Sequence, residues 1–349
     1  MSVTLVSSAL FFVLSFLAGF VCLRIAYNQP TLKDGFVLLW GTILVGFIAA
    51  FSFNPIHYDS IAAYSMEEFL LVLGASLLIY LADAKKFSPL IIILGCIAGA
   101  YILPQDFLLF DGRLPLIADR LAIVAIWFMI SFCWQYLNGM NGLVCLQTTI
   151  ICLGLITLYF VGAAPFILAL YSLVLLGCTL ALLSYNWFPA YITLSSGLCQ
   201  ALGFICVWLL LKASQEGLSS SSLILLAYFA VEMISALIRL IIPEGSRKIA
   251  HNTNYYIAVH SGLTPQTALF SVAKILTLLL ILACFQIYSG NFFSIPLLGL
   301  AVCFVFAYRI RNWDEKPQTL KEINAEFIED VKEGIKEIKD TLSSKKGDQ

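Results

Sequence analysis

Apolar runs long enough to cross a lipid bilayer follow one another along this chain, and they leave little room for any other kind of fold. A spanning helix needs roughly 20 mainly apolar residues, because a rise of about 1.5 Å per residue must cover about 30 Å of hydrocarbon. About eleven runs approach that length: 3–26, 36–53, 67–82, 88–104, 116–137, 142–161, 164–185, 190–211, 221–242, 266–288 and 291–310. With 60% hydrophobic and 12% charged residues over 349 positions, the composition excludes an ordinary soluble domain and offers no basic surface for nucleic acid. The expected fold class is therefore all-α, a polytopic membrane bundle.

The first run has no lysine or arginine before it and no small-residue cleavage pattern after it, so it is expected to stay as a helix rather than to be removed. That places the N-terminus outside and, with an odd number of crossings, the C-terminus in the cytoplasm. On this orientation 17 of the 20 basic residues face inward, leaving Arg113, Arg120 and Lys212 on the outer side. Such an asymmetry is what the positive-inside rule requires.

The ten cysteines stand singly within apolar runs, without CxxC spacing and without histidine at metal-ligand spacing, and read as small buried hydrophobes. Chemistry, if present, must gather in the polar islands between runs. The most distinctive is Trp134 to Leu143, WQYLNGMNGL, between the fifth and sixth runs. Three others precede or follow it on the same expected side: YNQPTLKDG with Lys33, LADAKKFSP with Asp83, Lys85 and Lys86, and SYNWFPAYITLSSGLC with Asn186 and Ser196. At Asp83 the local alternatives are a helix-end carboxylate with a function or a simple cap flanked by anchoring lysines.

The ninth run carries Glu232 and Arg239, seven residues apart and nearly on one helical face. An ionisable group within a membrane is a functional candidate, with mutual charge compensation as the other reading. The long inner loop after it, Pro243 to Pro265, holds Arg247, Lys248, His251 and His260, suited either to anchoring at an anionic leaflet or to holding a phosphate. On the outer side, LPQDFLLFDGRLPLIADR reads as a solvated turn and KASQEGLSSSS as a flexible linker.

Composition changes abruptly near residue 314. From there to Gln349 the chain has ten acids and seven lysines, with Leu320, Ile323, Phe327, Val331, Ile335, Ile338 and Leu342 recurring at helical spacing. The expected organisation is a membrane domain over 1–313 and an amphipathic cytoplasmic tail helix over 314–349. The tail stripe suits a protein partner, a second copy in a homodimer, or the membrane surface.

Taken together, the islands resemble those of the polyprenyl-phosphate N-acetylhexosamine-1-phosphate transferases, the MraY/WecA-like membrane family. QYLNGMNGL lies without a gap over that family's NxxDGxDGL pattern, and NWFPAYITLSSGLCQALGF over its NFPPAKIFMGDAGSLxLGF pattern. Glu232 and Arg239 look like the family's acid and arginine before a histidine-rich loop, and SGLT, Ser261 to Thr264, resembles the segment closing that loop. The likeness covers the whole membrane region and leaves out the tail.

The resemblance implies a bacterial inner-membrane location, a cytoplasmic working face, polyprenyl phosphate and a nucleotide sugar as partners, and Mg²⁺ as cofactor. It assigns catalytic positions to Asp83, Asn138 and Asn141, metal positions to Asp83, Ser196 and Glu232, and phosphate contacts to Lys33, Lys85, Lys86, Asn186, Arg239, Arg247, Lys248, His251 and His260. The chemistry departs from the pattern, however. Asn138 and Asn141 replace two aspartates, Ser196 replaces the metal-binding aspartate, Ala82 replaces one of two adjacent acids, and Tyr255 and Tyr256 fall near the adjacent histidines.

Mg²⁺ brings two phosphates together by neutralising their oxygens and is held by carboxylates, and asparagine can serve neither as that charge nor as a general base. The expectation is a catalytically impaired member that binds carrier-lipid phosphate or partners in envelope glycan assembly. The alternatives are an active phosphoglycosyl transferase with a rearranged site, and a lipid transporter or membrane adaptor.

Overall fold

The computed structural model describes residues 12–21, 23–24, 66–83, 86–104, 107–110, 112–241, 249–289 and 293–312. The expected run at 36–53, Lys33, Lys85, Arg247, Lys248 and the tail stripe lie outside the described residues. The chain divides into two units, Met1–Arg311 and Asn312–Gln349, and all of the second beyond Asn312 lies outside the described residues.

Among the described residues every regular element is helical. In chain order they are α1 (Phe12–Val21), α2 (Met66–Asp83), α3 (Ser88–Ile102), α4 (Leu116–Cys133), α5 (Leu143–Phe160), α6 (Phe166–Asn186), α7 (Ser196–Gln215), α8 (Ser219–Ile241), α9 (Asn254–His260), α10 (Pro265–Ser289) and α11 (Ser294–Arg311). Short 3₁₀ turns at Trp134–Gly139 and Ile249–Asn252 extend α4 and precede α9. Among the described residues seven helices are long and apolar enough to cross a membrane: α4 with its 3₁₀ extension, α5, α6, α7, α8, α10 and α11. The chain is a helical membrane protein.

Helix ends follow local chemistry. Pro115 and Pro165 precede α4 and α6, where a residue without an N–H costs nothing. α7 starts six residues later than its apolar run suggests, at Ser196 rather than 190. Trp187 is already extended, and Ser195 takes the cap position, its hydroxyl accepting from Leu198 N at 3.3 Å. The segment expected to be a flexible linker is almost wholly helical. Lys212–Gln215 end α7 and Ser219–Ser222 open α8, with Ser221 Oγ donating to Ala283 O at 2.9 Å and Ser222 Oγ to Leu210 O at 3.2 Å. Serine is small enough to let helix backbones approach and polar enough to bond across them, which composition alone reads as flexibility.

α7 is the axis of the bundle. Every residue from Gly197 to Ala213 is buried, and α2, α4, α5, α6 and α8 all pack on it. Close approach depends on glycine. A Cβ on Gly203 would sit 2.7 Å from Trp134 Cβ, one on Gly99 2.6 Å from the Trp127 ring, and one on Gly177 2.9 Å from the backbone of α1. In lipid there is no hydrophobic force between helices, so this tight van der Waals fit holds them together. Trp127 adds a directional link between α4 and α7, stacking on Phe204 at 4.8 Å and donating to its carbonyl at 3.1 Å. The nine described cysteines are all free thiols, seven of them buried, as small core residues would be.

Candidate functional site

The C-terminal ends of α2, α4 and α8, the N-terminal end of α7, and α9 meet on one face of the bundle, and the expected site residues that are described gather there. Asp83 ends α2 against the first turn of α7. Its Oδ2 accepts the Ser196 hydroxyl at 2.6 Å and the Gly197 N–H at 3.0 Å. The approach requires glycine, since a Cβ at 197 would lie 2.6 Å from Asp83 Cβ. Unpaired N–H groups and the helix dipole both favour an anion at this point, so the carboxylate serves α7 as a cap from a neighbouring helix. Beyond Asp83 the chain turns through Lys86 at φ +60°. Lys86 N donates to Asp83 O at 2.9 Å and Phe87 N to Ala82 O at 3.0 Å, leaving the Lys86 side chain exposed.

The island after α4 is pinned from two sides. Asn138 Nδ2 donates to Leu194 O at 2.7 Å. Asn186, fully buried, accepts the Gly142 N–H at 2.6 Å and donates to Ile192 O at 2.8 Å. Gly142 stands at φ +86°, and a Cβ there would also come 3.0 Å from Leu269. Asn138 and Asn186 thus hold the island and the 187–195 connection together through main-chain groups. Asn141 is half-buried and makes no side-chain hydrogen bond among the described residues.

Glu232 and Arg239 do not pair directly; Asn254 stands between them. Glu232, fully buried, accepts Tyr228 Oη at 3.1 Å on one oxygen and both Asn254 N at 2.9 Å and Asn254 Nδ2 at 3.2 Å on the other. Arg239 donates to Asn252 O and to Asn254 Oδ1. An acid and a base on one helix therefore clamp the start of α9, and the first orphan N–H of that helix finds a carboxylate.

The next residue, Tyr255, is fully buried and donates its hydroxyl to Tyr136 O at 2.6 Å. It fills the space over Gly139, whose Cβ, if present, would lie 2.9 Å from Tyr255 Oη. Burial raises the Tyr255 phenol well above the usual tyrosine value, with the Glu232 charge adding to the effect and a Thr253 hydrogen bond opposing it. At the position near the family histidines, a neutral phenol therefore plugs the island.

His251 and His260, nine residues apart in sequence, come together on opposite sides of Tyr256. The His251 and Tyr256 rings stack at 4.5 Å with planes 6° apart, and the Tyr256 and His260 rings at 3.9 Å with planes 23° apart. His260 Nδ1 lies 3.1 Å from Tyr256 O, one helical turn back. The two imidazoles are held apart by a full ring and cannot share a ligand atom.

The donor set among the described residues does not fit a resident Mg²⁺. Among the described residues no group of three or more histidine, cysteine or acidic side chains is spaced to hold a metal ion. Asp83 directs one oxygen at two hydrogen-bond donors, and Glu232 faces three donors around Tyr228 and Asn254 rather than Asp83. A hard cation wants several oxygen ligands about it at once. Asn254 and Gly197 are the site residues that the sequence did not single out. Their signal, a short polar residue opening a helix and a glycine after a serine pair, is common to many helix starts. Against protein-family models and against curated proteins, the sequence finds no match.

Proposed function

We propose that this chain is a catalytically impaired protein of MraY/WecA-like layout, which holds the phosphate of a polyprenyl carrier lipid at its polar face instead of transferring a sugar phosphate onto it. In this reading the polar face is cytoplasmic, the N-terminus is outside, the membrane is the bacterial inner membrane, and the chain serves envelope glycan assembly through the lipid or a protein partner. The observation that carries it is the Asp83 carboxylate, satisfied by Ser196 and Gly197 at 2.6 and 3.0 Å. An acid already serving as a helix cap, opposite a serine, is neither half of a metal pair nor a poised base. Asn138, Asn186, Glu232 and Tyr255 support the same reading, because each bonds to main chain where the family pattern calls for reactive groups.

Phosphate binding asks less of a site than phosphoryl transfer. Lys86, Arg309 and Arg311 present exposed cations at the ends of α2 and α11 on this face, and charge-assisted bonds from such groups suit a phosphate without any metal. The test uses the purified full-length chain with a UDP-N-acetylhexosamine, polyprenyl phosphate and Mg²⁺. No UMP is expected above a protein-free control, together with polyprenyl phosphate binding that is the same in Mg²⁺ and in EDTA. UMP release would establish the active-transferase alternative, and loss of lipid binding in EDTA or its complete absence would equally remove the proposal.

A further inference from the structure

A cavity of about 580 Å³ opens on the face opposite the candidate site, between α4, α7 and α8. Its volume falls within the roughly 300–1,000 Å³ of small-molecule sites. The lining is largely apolar and includes Ile130 of α4, Val207 of α7 and Leu226 of α8. Ser214 and Ser219 lie seven residues nearer the α7–α8 turn than Val207 and Leu226, so the cavity extends about 10 Å along these two helices. The edge is open sideways. Ile126 and Leu223 are 38% and 52% exposed, and on membrane-crossing helices such surfaces face lipid; Phe293, just before α11, is 58% exposed beside them.

The mouth is built rather than incidental. Asp119, fully buried in the first turn of α4, accepts Leu109 N at 3.1 Å and Phe110 N at 3.0 Å and so fixes the loop that forms the outer wall. Arg120 is occupied with the carbonyls of Leu103 and Pro104. Arg113, on the same loop, lines the mouth with an exposed side chain. A guanidinium at the mouth of a largely apolar slot that opens sideways is complementary to one class of molecule, an amphiphile with an anionic head and a hydrocarbon chain.

From this arrangement we infer that the cavity is a binding site for an anionic phospholipid of the leaflet opposite the candidate site, with one chain between α4, α7 and α8 and the phosphate at Arg113. The inference does not depend on the proposed function, because the two places lie on opposite faces and share no residue.

Native mass spectrometry of the full-length chain, released from vesicles of phosphatidylglycerol and phosphatidylcholine in equal parts, tests it. The wild type retains one phosphatidylglycerol in preference to phosphatidylcholine. Arg113→Gln lowers that preference by about fivefold, the value of one cation near a headgroup. Leu223→Trp, which fills the open edge, lowers retention of both lipids. Equal retention of the two lipids by the wild type, or no retention, overturns the inference, and that comparison needs no variant. Unchanged retention by Leu223→Trp, with thermal unfolding like that of the wild type, overturns it as well. Displacement of phosphatidylglycerol by added polyprenyl phosphate would reassign the slot to the carrier's tail and overturn the phospholipid assignment.

Discussion

Asn254 meets Glu232 twice, its main-chain N–H and its side-chain amide both donating to the same carboxylate oxygen at 2.9 and 3.2 Å. A single buried acid therefore fixes both the position and the rotamer of the residue that starts α9. Glu232→Ala leaves three buried donors without an acceptor, and at about 1–3 kcal/mol for each such group the loss is large. The expected result is a thermal midpoint lowered by several degrees, together with faster amide hydrogen exchange across 249–260. Exchange in that segment like that of the wild type would show that Arg239 alone holds it.

Tyr255 and Gly139 are in contact through the space of one missing methyl group. Gly139→Ala is expected to destabilise by about 1–3 kcal/mol through overpacking. Tyr255→Phe, which removes the crowding oxygen along with its bond to Tyr136, is expected to cost about 1 kcal/mol by itself. Together they should cost less than the sum, with a coupling of about 0.5 kcal/mol or more in a double-mutant cycle followed by thermal unfolding.

Burial also sets the sign of an alkaline dependence. Because the folded Tyr255 phenol is raised above its unfolded value, its contribution is fully present below about pH 10 and is lost as pH rises toward the folded value. The difference in unfolding midpoint between wild type and Tyr255→Phe, followed from pH 8 to pH 11, should therefore shrink or reverse at the alkaline end.

Ser196 and Asp83 permit a reconstruction. Ser196→Asp places two carboxylates where a hydroxyl now donates at 2.6 Å, and like charges at that separation destabilise each other. Thermal unfolding in EDTA should show a lower midpoint than the wild type, and Mg²⁺ should restore part of the loss in the variant while leaving the wild type unmoved.

Asn186→Leu keeps roughly the volume of a fully buried side chain but abandons Gly142 N and Ile192 O. Two unsatisfied main-chain groups predict a loss of about 2–6 kcal/mol, read as a lower midpoint. Increased exchange at 139–143 should accompany it, since Gly142 N loses its side-chain acceptor.

How far the sequence reached can be judged at particular residues. The cores of α4, α5, α6, α8, α10 and α11 lie where apolar length and proline placed them, because a membrane-crossing helix is specified by its own composition. Asp83 and Ser196 were marked by alignment to a motif, and they do face each other. What escaped were choices of partner. Nothing in the period of residues 249–260 says that Tyr256 separates two histidines, or that Asn254 stands between Glu232 and Arg239. Asp119 reads as part of a solvated turn, yet it is fully buried and holds Leu109 and Phe110. Such contacts depend on helices distant in sequence, and local pattern carries no information about them.

α7 is apolar enough to enter a bilayer, yet from Gly197 to Ala213 it is enclosed by protein. Its residues thus meet two solvents in succession, hydrocarbon as the helix inserts and neighbouring side chains once the bundle closes. Lys212, fully buried, is satisfied in the second, where it donates to Gln215 at 3.1 Å. Completing this protein therefore means withdrawing its central helix from lipid into the wall that its neighbours form.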